Sequence, residues 1–304
     1  MADYRLAVFA PDDVTNPKDG VIRKWNDYPV RFLAQGDSWF SLGALPTWNT
    51  SNVLAEMVLG LDASAINCAQ PGQHLTTMIE WRKDRGFQRL LYGRFAYKWH
   101  GILLSGGGND LISAAGVLPL HSDGTPVDPS LRLLLKPGEW GPASRGPARY
   151  LSDPGWATFV THLSAQLINL VAARDTDVNR GTPIFCHSYD YPQPRNAPVL
   201  PGTDSWLYPA FVAYGVPPED WLGAAKELID RLTTLLRNTI DNVNAGGDKH
   251  VYLVDCRGAI VPAEPGTTGA SNDWQNEIHP TFGGYRKLAA RWRPVIEAQI
   301  PPAP

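Results

Sequence analysis

Four short polar segments of this 304-residue chain carry residue types that could act together on an acyl group. They are Gly36-Asp37-Ser38-Trp39, the run from Asn67 to Gly72, the run from Ser105 to Asp110, and the run from Asp273 to Thr281. Acyl transfer by serine needs a hydroxyl, a neutral imidazole to take its proton, an acceptor to orient that imidazole, and N–H donors for a tetrahedral oxyanion. Ser38 offers the hydroxyl. Gly36 permits a tight exit from the apolar run before it, and Ser38 would then sit among the open N–H groups at the start of the next segment. Gly72 could aim a bare backbone N–H at a ligand. Three glycines before Asn109 let the chain turn and present an amide. Of the seven histidines, His279 alone lies in such a polar loop, directly before a proline that fixes the outgoing chain.

Each segment also has a plainer reading. Ser38 is an ordinary N-capping serine, Gly72 a turn glycine, and Asp110 the N-cap of a helix over Leu111–Ala115. His74 and His187 lie near strand ends and read as substrate-side or structural residues. The glycine run lacks the GxxxxGK[ST] lysine and matches no GxGxxG, which disfavours a nucleotide site.

The elements that must position these segments follow from periodicity. Val30–Gln35, Ala65–Cys68, His100–Ser105, Pro183–His187 and Val251–Val254 read as five short buried strands. Between them, Asn52–Leu61, His74–Gly93, Trp156–Arg174, Asp220–Val243 and Tyr285–Ile296 read as helices. The clearest stripes are Phe159, Val160, Leu163, Leu167, Leu170 and Val171, and, further on, Leu222, Ala225, Leu228, Ile229, Leu232, Leu235 and Leu236. Asp220 is a plausible N-cap, and Pro294 could bend the closing helix. Strands alternating with helices predict a mainly parallel sheet covered on both faces, in a single domain. Leu111–Gly155 and Tyr189–Asp220 hold 14 of the 27 prolines and each follows a strand, so both are expected to project over the carboxyl edge of the sheet and cover the site. Their leucines and aromatics, Leu131, Leu133, Leu134, Trp140, Leu207 and Phe211 among them, are apolar enough to line an acyl pocket or a dimer contact.

In order and spacing the four segments resemble blocks I, II, III and V of the SGNH (GDSL-like) hydrolases: GDSW for the serine block, the Gly72 turn, GGND for the Gly-x-Asn-Asp block, and HPT for the histidine block. The resemblance runs from about Val30 to Ile296 and leaves out the two proline-rich insertions. It implies a flavodoxin-like α/β/α sandwich with a five-stranded sheet and metal-free, cofactor-free ester hydrolysis. It makes Ser38 the nucleophile and His279 the base, with an oxyanion hole made from the Ser38 N–H, the Gly72 N–H and the Asn109 amide. No GxSxG elbow is present, which argues against the α/β-hydrolase fold. One departure concerns the third residue: the family's aspartate three places before the histidine is Asn276 here. The nearby carboxylates are Asp273 and Glu277. Asp273 is the expected partner of His279, because Glu277 would point away in an extended loop. The neutral amide of Asn276 could still orient the imidazole, though it would stabilise the imidazolium poorly, and a backbone carbonyl is a further alternative.

Composition restricts the rest. A 43% apolar and 19% charged chain can bury one large core, and a net charge of −3 leaves no footprint for nucleic acid. No apolar run approaches the roughly 18 residues of a membrane span. The beginning, with Asp3, Asp12 and Asp13, lacks the order of a signal peptide, and the three cysteines show no CxxC pair. Both features fit a reducing, cytoplasmic setting with buried thiols. The expected substrate is a small-molecule, lipid or sugar ester. A carbohydrate O-acetyl esterase and a non-catalytic binding module on the same fold are the alternative readings.

Overall fold

The computed structural model describes residues 2–16, 23–41, 51–80, 85–200, 202–247 and 249–301. The strands are β1 (Tyr4–Arg5), β2 (Ala7–Phe9), β3 (Val30–Gly36), β4 (Val58–Leu59), β5 (Ala63–Asn67), β6 (Gly101–Ser105), β7 (Ile184–His187) and β8 (Val251–Val254). The helices are α1 (Asp12–Thr15), α2 (Val53–Glu56), α3 (Leu75–Met78), α4 (Arg85–Leu91), α5 (Gly108–Ala115), α6 (Asp153–Arg174), α7 (Tyr208–Ala213), α8 (Trp221–Ala245) and α9 (Phe282–Glu297).

The central sheet is wholly parallel, in the order β2-β5-β3-β6-β7-β8. The five expected strands are all present and follow the doubly wound flavodoxin-like order. The sheet has a sixth member that the sequence reading lacked. β2 adds to the β5 edge in the register Ala7↔Ser64, while β1 pairs antiparallel with β4 in a small separate ribbon. The interior strands are apolar at their centres, as a sheet buried on both faces requires: Phe32, Leu33, Ile102, Leu103, Ile184 and Phe185 are fully covered.

Helices α6 and α8 pack together on one face, with α3 against α6. On the other, α2 lies against α9. The apolar stripes face inward as their spacing predicts, Phe159, Leu163, Leu167 and Leu170 on α6 and Leu228, Leu232, Leu235 and Leu236 on α8. In α9, Tyr285, Leu288, Ala289, Trp292 and Ile296 form a third stripe that continues past Pro294. Cys68, Cys186 and Cys256 are all buried thiols.

Several local expectations are corrected. The helix expected over Asn52–Leu61 is one turn, capped by the Asn52 side chain on Ala55 N–H, before the chain extends into β4. The helix expected over His74–Gly93 is two pieces, α3 and α4, and residues 81–84 of that span lie outside the described residues. Asp220 precedes α8, but its side chain makes no cap; its carboxylate takes the hydroxyl of Tyr150 instead. Asp110 lies inside the first turn of α5, because the helix starts earlier, at Gly108, and its carboxylate accepts the Leu75 N–H at 2.9 Å.

The described residues of the two insertions pack against the rest of the fold. In the first, Arg132 is buried and holds Val127 O, Leu134 O and the Glu139 carboxylate, so much of this segment packs on itself and on α6. The second carries α7 and is joined to the first where Tyr214 Oη donates to Val117 O at 2.5 Å. No helix among the described residues is long and apolar enough to cross a membrane.

Candidate active site

β3 and β6 run side by side and end together, which sets the position of Ser38. At Gly36 a Cβ would lie 2.6 Å from the Ser105 Cβ, so only glycine lets the two strand ends approach this closely. Asp37 N–H then donates to Ser105 O at 3.1 Å, and Asp37 O accepts the Phe40 and Ser41 N–H groups, closing a single turn with Ser38 at its start. The Asp37 carboxylate lies beneath this turn. Its Oδ1 takes the Trp39 N–H at 3.0 Å and the Ser105 hydroxyl at 2.7 Å, and its Oδ2 takes the hydroxyl of Tyr189. Burial pushes this carboxyl up to about 6 against the pull of those donors.

His279 arrives from the far end of the chain, in the loop between β8 and α9. The loop is stitched across its base by Gln275 N–H to His279 O at 2.8 Å and Thr281 N–H to Asp273 O at 2.7 Å. Thr281 then caps α9 through its hydroxyl on the Gly284 N–H. The Trp39 indole, next to the serine, donates to Ile278 O at 3.1 Å and so ties the serine turn to the histidine loop. The result is contact: His279 Nε2 lies 2.8 Å from Ser38 Oγ, with both residues buried.

The Nδ1 side of the ring meets Asn276, whose Oδ1 is 3.1 Å away. The same oxygen accepts the backbone N–H groups of Ile278 (3.1 Å) and His279 (2.8 Å). Backbone N–H groups can only donate, which fixes the amide orientation and makes Nδ1 the protonated nitrogen. Nε2 is thereby left as the acceptor that faces the serine hydroxyl. Burial holds His279 down at about 4, so the ring is neutral across the ordinary pH range. In this tautomer it can take the Ser38 proton.

Asp273 is corrected as the orienting residue. Its carboxylate is 2.7 and 2.8 Å from Lys287 Nζ and accepts the Val261 N–H at 2.8 Å, joining that loop to α9. Glu277 also turns away. It is fully buried, and its two oxygens take the N–H groups of Arg195, Trp206, Leu207 and Tyr208. Burial lifts its carboxyl to about 7 in spite of these donors. Arg195, itself buried, grips Asn276 O at 2.8 Å and the Thr267–Gly269 loop. The pair fastens the second insertion to the histidine loop and places Trp206 edge-on to the His279 ring at 5.2 Å. Arg195 escaped the sequence reading because neither its type nor its spacing marks it. The signal in the sequence was Glu277, a carboxylate beside the key histidine with no obvious partner.

The donors expected at the oxyanion position are placed as follows. Asn109, in the first turn of α5, is half-buried, and its Nδ2 donates to Gln73 O at 3.1 Å, which fixes the amide while its second N–H remains to be offered. Gly72 lies one residue before Gln73 with φ +73°, a conformation that side chains rarely adopt, and no atom lies within 4 Å of the place a Cβ would take. A cavity opens over Ser38 and Asn109. Its walls include Leu111 and Ile112 of α5, Tyr189 and Leu207 of the second insertion, and Ile229 of α8. Beyond those two α5 residues, the first insertion does not line it. Leu133, Leu134 and Phe211 are core, Leu131 is exposed, and Leu207 of the second insertion faces the cavity.

His187 and His74 are held structurally. His187 is buried between Ser188 O and the Ser105 hydroxyl and stacked on Trp39, and His74 Nε2 meets Ser113 Oγ at 2.8 Å. Among the described residues, no group of three or more His, Cys, Asp or Glu side chains forms a candidate metal cluster.

No protein-family description matches the sequence, and no curated protein matches it. Solved structures do resemble the chain in fold. One is described as a GDSL-like lipase from Parabacteroides merdae, at TM-score 0.47 and 12% identity over 89% of this chain and 96% of that one. Another is an acetyl-xylooligosaccharide esterase from Geobacillus stearmophilus, at TM-score 0.42 and 11% identity over 90% and 95% of the two chains. A third is a family two carbohydrate esterase from Clostridium thermocellum, at TM-score 0.43 and 14% identity over 89% of this chain; the chain spans 64% of that protein's length.

Proposed function

We propose that this protein hydrolyses carboxylic esters through a covalent acyl-Ser38 intermediate. The observation that carries the reading is the line of contacts from Ser38 Oγ to His279 Nε2, and from His279 Nδ1 to Asn276 Oδ1. The Ser38 oxygen attacks the ester carbon as its proton passes to Nε2. The tetrahedral adduct places its negative oxygen toward the Ser38 N–H, the Gly72 N–H and the Asn109 amide. On collapse, the carbon–oxygen bond to the alcohol breaks and the alcohol leaves with the proton from Nε2. A water then repeats the sequence on the acyl-serine, releasing the acid and restoring Ser38. Asn276 holds the ring and its tautomer throughout, and supplies no charge of its own.

Intact-mass analysis after treatment with a fluorophosphonate tests this directly. One adduct is expected on the wild type and none on Ser38→Ala. An unlabelled wild type would leave a protein that holds esters without turning them over, and an adduct that survives the substitution would place the nucleophile elsewhere.

A further inference from the structure

We infer that Asp37 positions the Ser38 turn as a protonated acid. It does so within a buried chain of four side chains, His187, Ser105, Asp37 and Tyr189, that holds one proton more than a carboxylate and a neutral imidazole would bring. The kinetic part of the inference rests on the proposed ester hydrolysis; the protonation does not.

The contacts along the chain require the added proton. No member is more than 6% exposed, so an unmet polar contact here is costly. His187 Nδ1 lies 2.7 Å from Ser188 O, and a carbonyl oxygen only accepts, so Nδ1 carries a proton. In the neutral ring Nε2 is then an acceptor, and it lies 2.8 Å from Ser105 Oγ. Ser105 Oγ in turn lies 2.7 Å from Asp37 Oδ1, and Tyr189 Oη meets Asp37 Oδ2. These three contacts need three protons, and the two hydroxyls supply two. With an ionised carboxylate the Ser105 hydroxyl donates to Asp37, and Nε2 faces an oxygen with no proton between them. One added proton completes the chain. Asp37 Oδ1–H donates to Ser105, Ser105 donates to Nε2, and Tyr189 donates to Oδ2. The protonated Oδ1 keeps a lone pair for the Trp39 N–H.

The surroundings place that proton on the carboxyl. The titratable side chains that bear on Asp37 include Tyr189, Tyr285 of α9 and Asp110 of α5, and none of these brings positive charge. Burial lifts the Asp37 carboxyl to about 6 and holds His187 down at about 4, so the acid takes the proton before the imidazole does. Two turns of the site meet at this chain. Asp37 opens the Ser38 turn. The Tyr189 ring lies against Gly108, where a Cβ would be 2.6 Å from Tyr189 Cζ, and Asn109 follows directly. An uncharged Asp37 also leaves no fixed negative charge beside the Ser38 N–H, where the oxyanion would form.

The test is NMR of the full chain with carboxyl-labelled aspartate and nitrogen-labelled histidine at pH 5, about one unit above the ordinary aspartate value. The Asp37 signal is identified by its loss in Asp37→Asn. A protonated Asp37 carboxyl beside a His187 ring protonated at Nδ1 alone is expected. An ionised Asp37 overturns the inference, whether the ring beside it is neutral or doubly protonated. His187→Phe keeps a ring stacked on Trp39 and removes the Nε2 acceptor. Ser105 is then free to donate to a carboxylate, so Asp37 should titrate about one pH unit lower or more. A titration left in place or moved upward overturns the chain of donors, and the wild-type spectrum decides alone if this variant does not fold. Ser105→Ala breaks the chain in the middle and should lower kcat on p-nitrophenyl acetate by about tenfold or more with KM unchanged, since a ~1 Å misplacement can cost about 10²-fold. A kcat within about twofold of wild type, in a protein with native circular dichroism, means that the chain does not position the serine and overturns that role. A wild type without turnover removes the hydrolase reading, and the spectra still decide where the proton lies.

Discussion

The side-chain oxygen of Asn276 lies 3.1 Å from Nδ1 of His279 and accepts the backbone N–H of that same histidine at 2.8 Å. In serine proteases, replacing the orienting aspartate by asparagine costs about 10⁴-fold, because the amide favours the wrong tautomer. Here the two backbone donors turn the amide oxygen toward the ring, so a neutral residue can serve. Asn276→Ala should therefore lower kcat by on the order of 10²-fold with little change in KM, provided circular dichroism shows an intact fold. A kcat within about threefold of wild type would mean that the ring is held by packing alone.

The acid limb of the pH profile follows from the same contact. A general base works only when deprotonated, so a lowered pKa carries activity to lower pH. With His279 held at about 4 by burial, kcat/KM for the free enzyme should stay level down to about pH 5 and fall to half near pH 4. Asn276→Asp places a carboxylate against the ring, favours the imidazolium, and should move the limb upward by one pH unit or more. A wild-type limb near 6.5, or a limb that the aspartate leaves in place, contradicts this account.

Asn109→Ala should reduce kcat by about 10²–10³-fold, the usual cost of one oxyanion donor, and leave KM nearly unchanged. Because Asn109 also donates to Gln73 O, a thermal melt should accompany the kinetics, to separate a lost donor from a loosened turn. An effect confined to KM would make Asn109 a binding residue.

Asp273→Asn provides the contrast. The carboxylate pairs with Lys287, whose side chain is 52% exposed, and an ion pair so open to water contributes about 0–1 kcal/mol. Activity should stay within about tenfold of wild type, and Tm should fall by no more than a few degrees. A 10²-fold loss of kcat in a folded protein would restore Asp273 to the catalytic machinery.

Glu277→Ala should act mainly on stability. It leaves four backbone N–H groups without their acceptor, at about 1–3 kcal/mol for each donor left unpaired, and Tm should drop by on the order of 10 °C. Unchanged melting would mean that the second insertion is anchored elsewhere.

What could be read from the sequence divides along physical lines. Ser38, Asn109 and His279 stood out because each follows a buried apolar run with a polar, glycine- or proline-marked turn, and such turns fall where a parallel sheet places them. Asn276 was passed over in favour of Asp273 because charge was weighed above spacing; a three-residue step in a tight loop brings a side chain back to the ring, and a six-residue step leads to α9. The insertions were read as a pair of covers because both are rich in proline. Proline content does not indicate which apolar side chains face a cavity and which face the core, and only the second reaches the pocket beyond α5. β2 was missed because three residues at a sheet edge carry too short a pattern to show a period.

Ser38 and His279 meet across 241 residues of sequence. The serine leaves β3, inside the sheet, and the histidine follows β8, the outermost and final strand. A chain emerging from the ribosome therefore carries its serine for most of elongation without the base beside it. The pair can form only after β8 has docked and α9 has begun. Chains that end before residue 279 contain the whole Ser38 turn and lack the imidazole that faces it.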